Sequence, residues 1–355
     1  MSAPRIMIMA AGTGGHIFPG LAVAEQLREA GAEVTWLGTP QGMENRLVAL
    51  AGLELDQVDM TGVRGRGLIG WLALPLRLMR AMVQTLQIMR RRRPDCVLSM
   101  GGYVAAPGGL IARLLNIGLI IHEQNAIAGM ANRLLAPLAR RVMTAFPNVL
   151  KRGEVVGNPV RRSIVQLPAP AQRLAGRSGP LRVLVIGGSQ GALIMTRVLP
   201  QALALLPAAQ RPRVVHQAGR QFDATVAAYT DIGLADQVEV VAFIDDMAAA
   251  WAAADVAICR AGALTVSELA NAGVAALMVP FAGAVDDHQR HNAEVLSNAE
   301  AGWLMTESAF TPQAVAAWLQ TLDRDPLLQT AERARALRQP EAAERVAQAC
   351  LEVAA

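Results

Sequence analysis

Two stretches of the chain repeat one pattern: an apolar run, a glycine-rich turn and the start of a helix. Residues 5–16 read Arg-Ile-Met-Ile-Met-Ala-Ala-Gly-Thr-Gly-Gly-His, and residues 182–191 read Arg-Val-Leu-Val-Ile-Gly-Gly-Ser-Gln-Gly. Further short apolar runs alternate with helical patterns after each of them. Because these runs are continuously apolar, they predict parallel strands that are covered on both faces. The sequence therefore predicts an α/β fold of two Rossmann-like domains with a cleft between them.

The predicted domain boundary lies in residues 167–180, which contain three prolines and two glycines and are typical of a linker. We expect an N-terminal domain over residues 1–163 and a C-terminal domain over residues 164–340. A last helix over residues 341–355 is expected to pack back on the N-terminal domain. The first helix is expected over residues 19–30, with Pro19 in its first position.

Composition excludes several classes of protein. The chain is 53% hydrophobic and 17% charged, so it can bury sizeable cores. Its 5 Trp, 2 Tyr and 6 Phe are too few for a base-stacking surface, so no nucleic-acid partner is expected. The N-terminus begins with a strand pattern rather than a signal peptide, and no apolar run is long enough to span a bilayer. The three cysteines show no C-x-x-C spacing, which indicates buried, reduced thiols.

The first domain carries three polar or glycine-rich loops after predicted strands. The loop of residues 12–16 suits an oxyanion or a plain strand–helix turn. It is not a dinucleotide fingerprint, because Ile17 stands at the third glycine position and no acid ends the second strand. Residues 101–103 and the polar residues 122–125 follow two further strands. Arg161 lies where the chain leaves this domain. It is expected to be either a residue of the cleft or a plain surface arginine.

The second domain offers four more loops. In residues 187–191, Ser189 either donates to a phosphate or caps the next helix. In residues 260–268, the hydroxyls of Thr265 and Ser267 are expected to face a diphosphate. Glu268 either accepts from a ribose diol or is a solvated or helix-capping glutamate. Gln289 and Asn292 share one helix face. Their side-chain amides can bind sugar hydroxyls, because each amide both donates and accepts hydrogen bonds. A metal site around the neighbouring acids and histidines is disfavoured, since the helical ligand spacing is missing.

The segment from residue 61 to residue 94 contains eight arginines and no acid. Its helical pattern places Arg77 and Arg80 on a polar stripe beside a wide apolar arc that includes Leu72, Leu76 and Met79. Either the helix is sandwiched in the core, or part of the arc meets an anionic membrane surface. Residues 1–165 carry 19 basic and 10 acidic side chains, and residues 166–355 carry 14 and 19. This asymmetry favours the membrane interpretation.

Taken in order, these motifs resemble the MurG family, the peripheral membrane N-acetylglucosaminyltransferases of peptidoglycan synthesis. The resemblance rests on residues 12–20 (Gly-Thr-Gly-Gly-His-Ile-Phe-Pro-Gly), 100–103, 122–125, 156–161, 187–191, 243–246 (Phe-Ile-Asp-Asp), 260–268 (Arg-Ala-Gly-Ala-Leu-Thr-Val-Ser-Glu) and 289–292. They cover nearly the whole chain. The chain departs from the family's usual pattern around Gln289, where it has His288, Arg290 and His291.

The resemblance implies the two-domain GT-B architecture and an inverting transfer without metal or cofactor. The donor would be UDP-N-acetylglucosamine, and the acceptor undecaprenyl-diphospho-muramoyl-pentapeptide. By position, the implied donor contacts are Thr13, Gly14, Gly15, Asn125, Arg161, Ser189, Ile244, Ala263, Leu264, Thr265, Val266, Ser267, Glu268 and Gln289. The protein would lie on the cytoplasmic face of the bacterial inner membrane, against its anionic surface, with cell-wall synthesis proteins as further partners.

Such a transfer needs a base for the acceptor C4 hydroxyl. His16 is the first candidate, because imidazole accepts a proton near neutral pH, and Glu123 is the second. Two alternatives share the fold or the donor: a UDP-N-acetylglucosamine 2-epimerase-like enzyme, and a non-catalytic membrane-bound sensor of nucleotide sugars.

Overall fold

The computed structural model describes residues 3–60, 74–188 and 190–355, apart from the side chain of Val285. In chain order the elements are β1 (Arg5–Met9), α1 (Gly14–Glu29), β2 (Glu33–Gly38), α2 (Glu44–Leu50), β3 (Glu54–Gln57), α3 (Leu74–Arg92), β4 (Cys96–Ser99), α4 (Ala105–Leu114), β5 (Gly118–Glu123), α5 (Met130–Leu135), β6 (Arg141–Thr144), β7 (Glu154–Val155), α6 (Arg162–Val165), α7 (Pro170–Leu174), β8 (Arg182–Ile186), α8 (Leu193–Ala204), β9 (Arg213–Gln217), α9 (Phe222–Thr230), β10 (Val238–Val241), α10 (Met247–Ala253), β11 (Val256–Cys259), α11 (Ala263–Ala272), β12 (Ala275–Met278), α12 (His288–Ser297), β13 (Trp303–Leu304), α13 (Pro312–Gln320), α14 (Arg324–Ala336) and α15 (Ala342–Ala354).

These elements form two compact units, each with one parallel sheet. The first unit comprises Met1–Arg161 with Pro340–Ala355, and the second comprises Arg162–Gln339. The strand orders are β3-β2-β1-β4-β5-β6-β7 and β10-β9-β8-β11-β12-β13. Both contain the Rossmann order, in which the chain runs outward from a central strand and then crosses to its other side. The predicted fold class of two Rossmann-like domains is confirmed.

The central strand of the first unit shows why its sequence is continuously apolar. Ile6 and Ile8 face one side of the sheet and pack in a core with side chains of α1 and α15. Met7 and Met9 face the other side and pack with side chains of α3 and α4. Because both faces are covered, positions 6–9 of the strand leave no place for a polar side chain.

The start of α1 differs from the prediction. The helix begins at Gly14, so Pro19 lies inside it rather than in its first position. Thr13 is extended (φ −101°, ψ 158°) and ends the loop, which lets the helix start directly after it. Pro19 leaves one intrahelical hydrogen bond unmade, and the complete burial of Ile17 in the core offsets that loss.

The predicted linker, residues 167–180, contains the short helix α7. Pro170 stands at its first position, where a proline needs no N–H partner. Arg173 donates to the carbonyl oxygens of Ala272 (2.8 Å), Gly273 (2.6 Å) and Trp251 (3.1 Å), and so caps the ends of two helices of the second unit. Burial lowers the pKa of Arg173 to about 10. This segment is therefore packed structure.

The last helix, α15, belongs to the first unit although it follows the second in the chain. Val346 and Cys350 are fully buried in the core that contains Ile6 and Ile8. Gly118 on β5 accommodates this helix, because a Cβ atom there would lie 2.2 Å from the Cγ1 of Val353. Cys96, Cys259 and Cys350 are buried free thiols, as predicted.

Candidate active site

Three loops of the first unit follow the adjacent strands β1, β4 and β5 and share one edge of the sheet. The chain order diverges between β1 and β4, which is where ligands bind in doubly wound sheets. Gly102 has φ +86°, and a Cβ atom there would lie 2.3 Å from the carbonyl oxygen of Ala11. The loop after β4 can therefore lie against the loop after β1 only because it carries glycine.

A buried acid lies beneath the first loop, and no sequence pattern singles it out. Glu44 on α2 is fully buried. Its Oε1 accepts from the backbone N (2.9 Å) and Oγ1 (2.7 Å) of Thr39, and its Oε2 accepts from the N of Gly12 (3.2 Å). The carboxylate thus ties the end of β2 to the glycine loop and engages the first loop amide.

His16 lies in the first turn of α1 and is half-buried. Its Nδ1 lies 3.4 Å from Oε1 of Gln124, and Nε2 of Gln124 donates to the carbonyl oxygen of Met100 at 2.9 Å. Gln124 is 1% exposed. The structure therefore brings the loops after β1, β4 and β5 together at one imidazole.

Glu123, the second candidate base, accepts four hydrogen bonds. Its Oε1 accepts from the backbone N (3.0 Å) and Nδ2 (3.2 Å) of Asn125. Its Oε2 accepts from the N of Gly129 (3.0 Å) and Nδ2 of Asn132 (2.8 Å). The side chain is 2% exposed. This geometry favours a carboxylate that organises the loop after β5 over one that collects a proton from a substrate.

His122, beside Glu123, is fully buried, and burial lowers its pKa to about 4. Its Nε2 lies 2.8 Å from the carbonyl oxygen of Gly157. The imidazole is therefore neutral near pH 7 and connects β5 to the segment that leads to Arg161. That arginine places its guanidinium 4.6 Å from the ring centroid of Phe18 on α1, a cation–π contact.

In the second unit, the loops after β8, β11 and β12 follow three adjacent strands. Ser189 of the β8 loop lies outside the described residues. The helix α11 follows Gly262, and its first intrahelical bond runs from the N of Val266 to the carbonyl oxygen of Gly262. Within the described part of the chain, no side chain caps this helix start. The amides of Ala263, Leu264 and Thr265 therefore lie at a helix N-terminus, whose polarity suits an anion.

Glu268 lies on the second turn of α11 and is 4% exposed. Its Oε2 accepts from Nε1 of the fully buried Trp251 at 3.1 Å. This contact excludes the solvated glutamate that the sequence left open. Trp251 gave no sequence signal of its own, because an indole partner for a carboxylate depends on how α10 and α11 pack.

The α12 amides are anchored to neighbouring loops. Oε1 of Gln289 accepts from the N of Phe281 at 3.0 Å, and Nδ2 of the fully buried Asn292 donates to the carbonyl oxygen of Ala261 at 3.1 Å. Asn292 thus connects the loops after β11 and β12. Ile244 is half-buried after β10, and Asp246 caps α10 by accepting from the N of Ala249 at 2.9 Å. Among the described residues, no group of three or more His, Cys, Asp or Glu side chains could hold a metal ion.

The described part of the arginine-rich helix, α3, is exposed along one apolar side. Leu76, Met79 and Val83 are 73%, 63% and 49% exposed, whereas Ala81 and Thr85 are fully buried. The helix is therefore not sandwiched in the core. Leu72 lies outside the described residues.

The polar stripe of α3 is partly paired with acids of the same unit. Arg80 pairs with Asp59 at 2.7 Å, and Arg91 pairs with Asp56. Arg77 is exposed. Across residues 3–60, 74–188 and 190–355, no helix combines the length and apolarity needed to cross a bilayer.

Comparison with known proteins gives the family. Residues 6–144 match the glycosyltransferase family 28 N-terminal domain, and residues 182–348 match its C-terminal domain. A protein of Bordetella parapertussis is 57% identical over 355 residues, which cover 100% of this chain and 99% of its own. It is named UDP-N-acetylglucosamine--N-acetylmuramyl-(pentapeptide) pyrophosphoryl-undecaprenol N-acetylglucosamine transferase. A crystal structure of MurG from Acinetobacter baumannii is 41% identical, with a TM-score of 0.82 over 98% of this chain and 99% of its own.

The chain belongs to the MurG family of glycosyltransferases. A protein of Dechloromonas aromatica with the same transferase name is 50% identical over 350 residues, which are 98% of this chain and 99% of its own. The structure of the calicheamicin glycosyltransferase CalG4 has a TM-score of 0.71 at 18% identity, over 99% of this chain and 98% of its own. At that identity the likeness shows the fold alone. The predicted membership of the MurG family and the predicted glycosyltransferase class are confirmed.

Proposed function

We propose that the protein transfers N-acetylglucosamine from UDP-N-acetylglucosamine to the C4 hydroxyl of undecaprenyl-diphospho-N-acetylmuramoyl-pentapeptide, with inversion at the anomeric carbon. The observation that carries this proposal is full-length similarity to transferases that bear this name. The relatives described above bear transferase names, so the epimerase-like and sensor alternatives gain no support from them.

The second unit is proposed as the donor side. The start of α11 is proposed to supply backbone N–H groups for the diphosphate, and Ser189 is proposed as a further donor to it. Glu268, oriented by Trp251, accepts hydrogen bonds from the ribose hydroxyls. Ile244 meets the uracil through its backbone, and Gln289 meets the sugar. The remaining proposed donor contacts are Thr13, Gly14, Gly15, Asn125, Arg161, Val266 and Ser267.

The first unit is proposed as the acceptor side, with His16 as the base. The acceptor oxygen attacks the anomeric carbon, a new C–O bond forms, and the bond to the UDP oxygen breaks with its electron pair. The hydroxyl proton goes to His16, and Arg161 with the helix starts stabilises the negative charge that develops on the diphosphate. Glu123 is proposed to shape the loop after β5 instead of taking the proton, because its two oxygens already serve four donors.

The test is UDP release in the presence and absence of the lipid acceptor. Release that depends on acceptor, with formation of the disaccharide, is expected for the wild-type protein. His16→Ala should lower kcat roughly 10²-fold to 10⁴-fold, and Glu268→Ala should raise the donor KM. Equal UDP release without acceptor, or none with it, would refute the transfer.

The exposed side of α3 is proposed to bind the cytoplasmic face of the inner membrane. Leu76 and Met79 would enter the interface while Arg77 faces anionic headgroups, and Arg80 shares its charge with Asp59. Cell-wall synthesis proteins are proposed as further partners.

Vesicle sedimentation tests the surface. Replacing Leu76 and Met79 together by Ser should lower binding to anionic vesicles by at least tenfold, since each apolar side chain contributes about 1–2 kcal/mol when partly buried. Leu50→Ser is the matched control, because Leu50 is equally exposed (73%) but lies on α2. Equal losses for both variants would show that α3 is not the membrane surface.

A further inference from the structure

A chain of hydrogen bonds runs from the backbone of β4 to the His16 imidazole. The carbonyl oxygen of Met100, directly after β4, accepts from Nε2 of Gln124 at 2.9 Å. Oε1 of Gln124, directly after β5, lies 3.4 Å from Nδ1 of His16. Since β4 and β5 are hydrogen-bonded neighbours, the sheet fixes the backbone of Gln124 beside the carbonyl that accepts from its amide.

The direction of this chain follows from its first member. A backbone carbonyl oxygen can only accept, so Gln124 must turn its NH₂ group toward Met100. The Gln124 oxygen then faces His16, and it too can only accept. Nδ1 of His16 must therefore carry the hydrogen, which leaves the lone pair of the neutral imidazole on Nε2.

The backbone of Gly101 holds the same edge of the ring. A Cβ atom on this residue would lie 3.1 Å from both Cε1 and Nδ1 of His16, and its φ of +95° disfavours any side chain. The imidazole is therefore confined at its Nδ1 edge by one backbone and one buried amide.

We propose that Gln124 is a positioning residue that holds His16 in the Nδ1–H tautomer, so that Nε2 removes the proton from the acceptor hydroxyl. This inference rests on the proposed function, in which His16 is the base. After proton transfer both ring nitrogens carry hydrogen, and the Nδ1–H bond to Gln124 is retained. A neutral amide fixes the tautomer without adding negative charge beside substrates that both contain diphosphates.

Gln124→Met and Gln124→Glu separate this role from a merely structural one. Methionine fills a similar volume but accepts no comparable bond, whereas glutamate still accepts from Nδ1–H. Long-range ¹H–¹⁵N correlation spectra of histidine-labelled protein report the tautomer, with the His16 signals assigned by their loss in His16→Ala. The wild type should show Nδ1–H, Gln124→Glu should keep it, and Gln124→Met should lose it.

Kinetics provide the second measurement. Gln124→Met should lower kcat roughly 10-fold to 100-fold with both KM values within about twofold, less than the roughly 10⁴-fold loss known for an inverted catalytic tautomer. Gln124→Glu should retain more kcat than Gln124→Met. Thr225→Val, which breaks a buried hydroxyl pair with Thr196 (2.8 Å) in the second unit, is the control for general loss of buried polar contacts and should keep kcat.

The two failures are distinguishable. An unchanged tautomer in Gln124→Met, together with an inactive His16→Ala, overturns the positioning role alone. Full kcat in His16→Ala overturns the base assignment and, with it, the role proposed for Gln124.

Discussion

Glu123→Gln separates a carboxylate that holds a loop from one that takes a proton. In the wild type, Oε1 accepts two bonds from Asn125, and Oε2 accepts one each from Gly129 and Asn132. Glutamine keeps one oxygen and turns an NH₂ group toward the other two donors. At about 1.5–3 kcal/mol for each hydrogen bond to a charged group, two lost bonds lower the free energy of unfolding of the first unit by about 3–6 kcal/mol.

Urea denaturation and hydrogen exchange of peptides covering residues 118–135 measure this loss, and kcat is measured well below the transition. The matched control is Glu352→Gln, which makes the same chemical change at an exposed ion pair with Arg141 and should stay within about 0.5 kcal/mol. His16→Ala should show the opposite profile, a large loss of kcat with little loss of stability. If Glu123→Gln left stability unchanged while kcat fell roughly 100-fold, Glu123 would be the base and the loop role would be wrong.

Three further substitutions probe other parts of the structure. Burial lowers the pKa of His216 to about 4 from its ordinary 6.5, so the unfolded chain binds the proton first as the pH falls. The free energy of unfolding of the second unit, measured by urea titration, should fall by about 2 kcal/mol between pH 7 and pH 5. His216→Phe should remove this pH dependence, and a pH dependence that is unchanged in this variant would show that His216 is not its source. Glu44→Gln should lower the free energy of opening of the loop after β1 by about 1–3 kcal/mol, because the glutamine NH₂ group cannot accept a hydrogen bond and one of the bonds from Thr39 and Gly12 is lost. Faster hydrogen exchange of the Gly12 amide would measure this change. Trp251→Phe should raise the donor KM about tenfold with kcat nearly unchanged, and an unchanged KM would show that the indole does not orient Glu268.

The sheets were predictable because a strand that is buried on both faces has a continuously apolar sequence. The sequence predicts strands over Glu33–Gly38, Gly118–Glu123 and Val256–Cys259, and the observed strands β2, β5 and β11 have the same ends. His122 and Glu123 of the polar cluster are the last two residues of β5, so the cluster marks the end of this strand and not only the loop after it. The start of α1 was not predictable by the same logic, because the preference of proline for a first turn is weaker than the burial of Ile17.

The sequence predicted only those residues of the candidate site that lie at the ends of strands. His16 follows β1 and Glu123 ends β5, and the carboxyl ends of these strands lie at one edge of the sheet, so their loops could be placed together. Glu44 could not be found in this way, because its contact with Gly12 spans 32 residues and depends on how α2 packs. The different roles of Glu123 and Gln124 could not be predicted either, because the sequence does not show which hydrogen bonds two adjacent polar residues make.

The placement of α15 has a consequence for how the chain is made. One core face of the first unit is completed by Val346 and Cys350, which follow the whole second unit in the chain. While the second unit is being translated, Ile6, Ile8 and their neighbours have no α15 to cover them. The first unit therefore begins folding early and finishes late. A nascent chain that stops before residue 342 leaves the part of this sheet face that α15 covers exposed to chaperones and proteases.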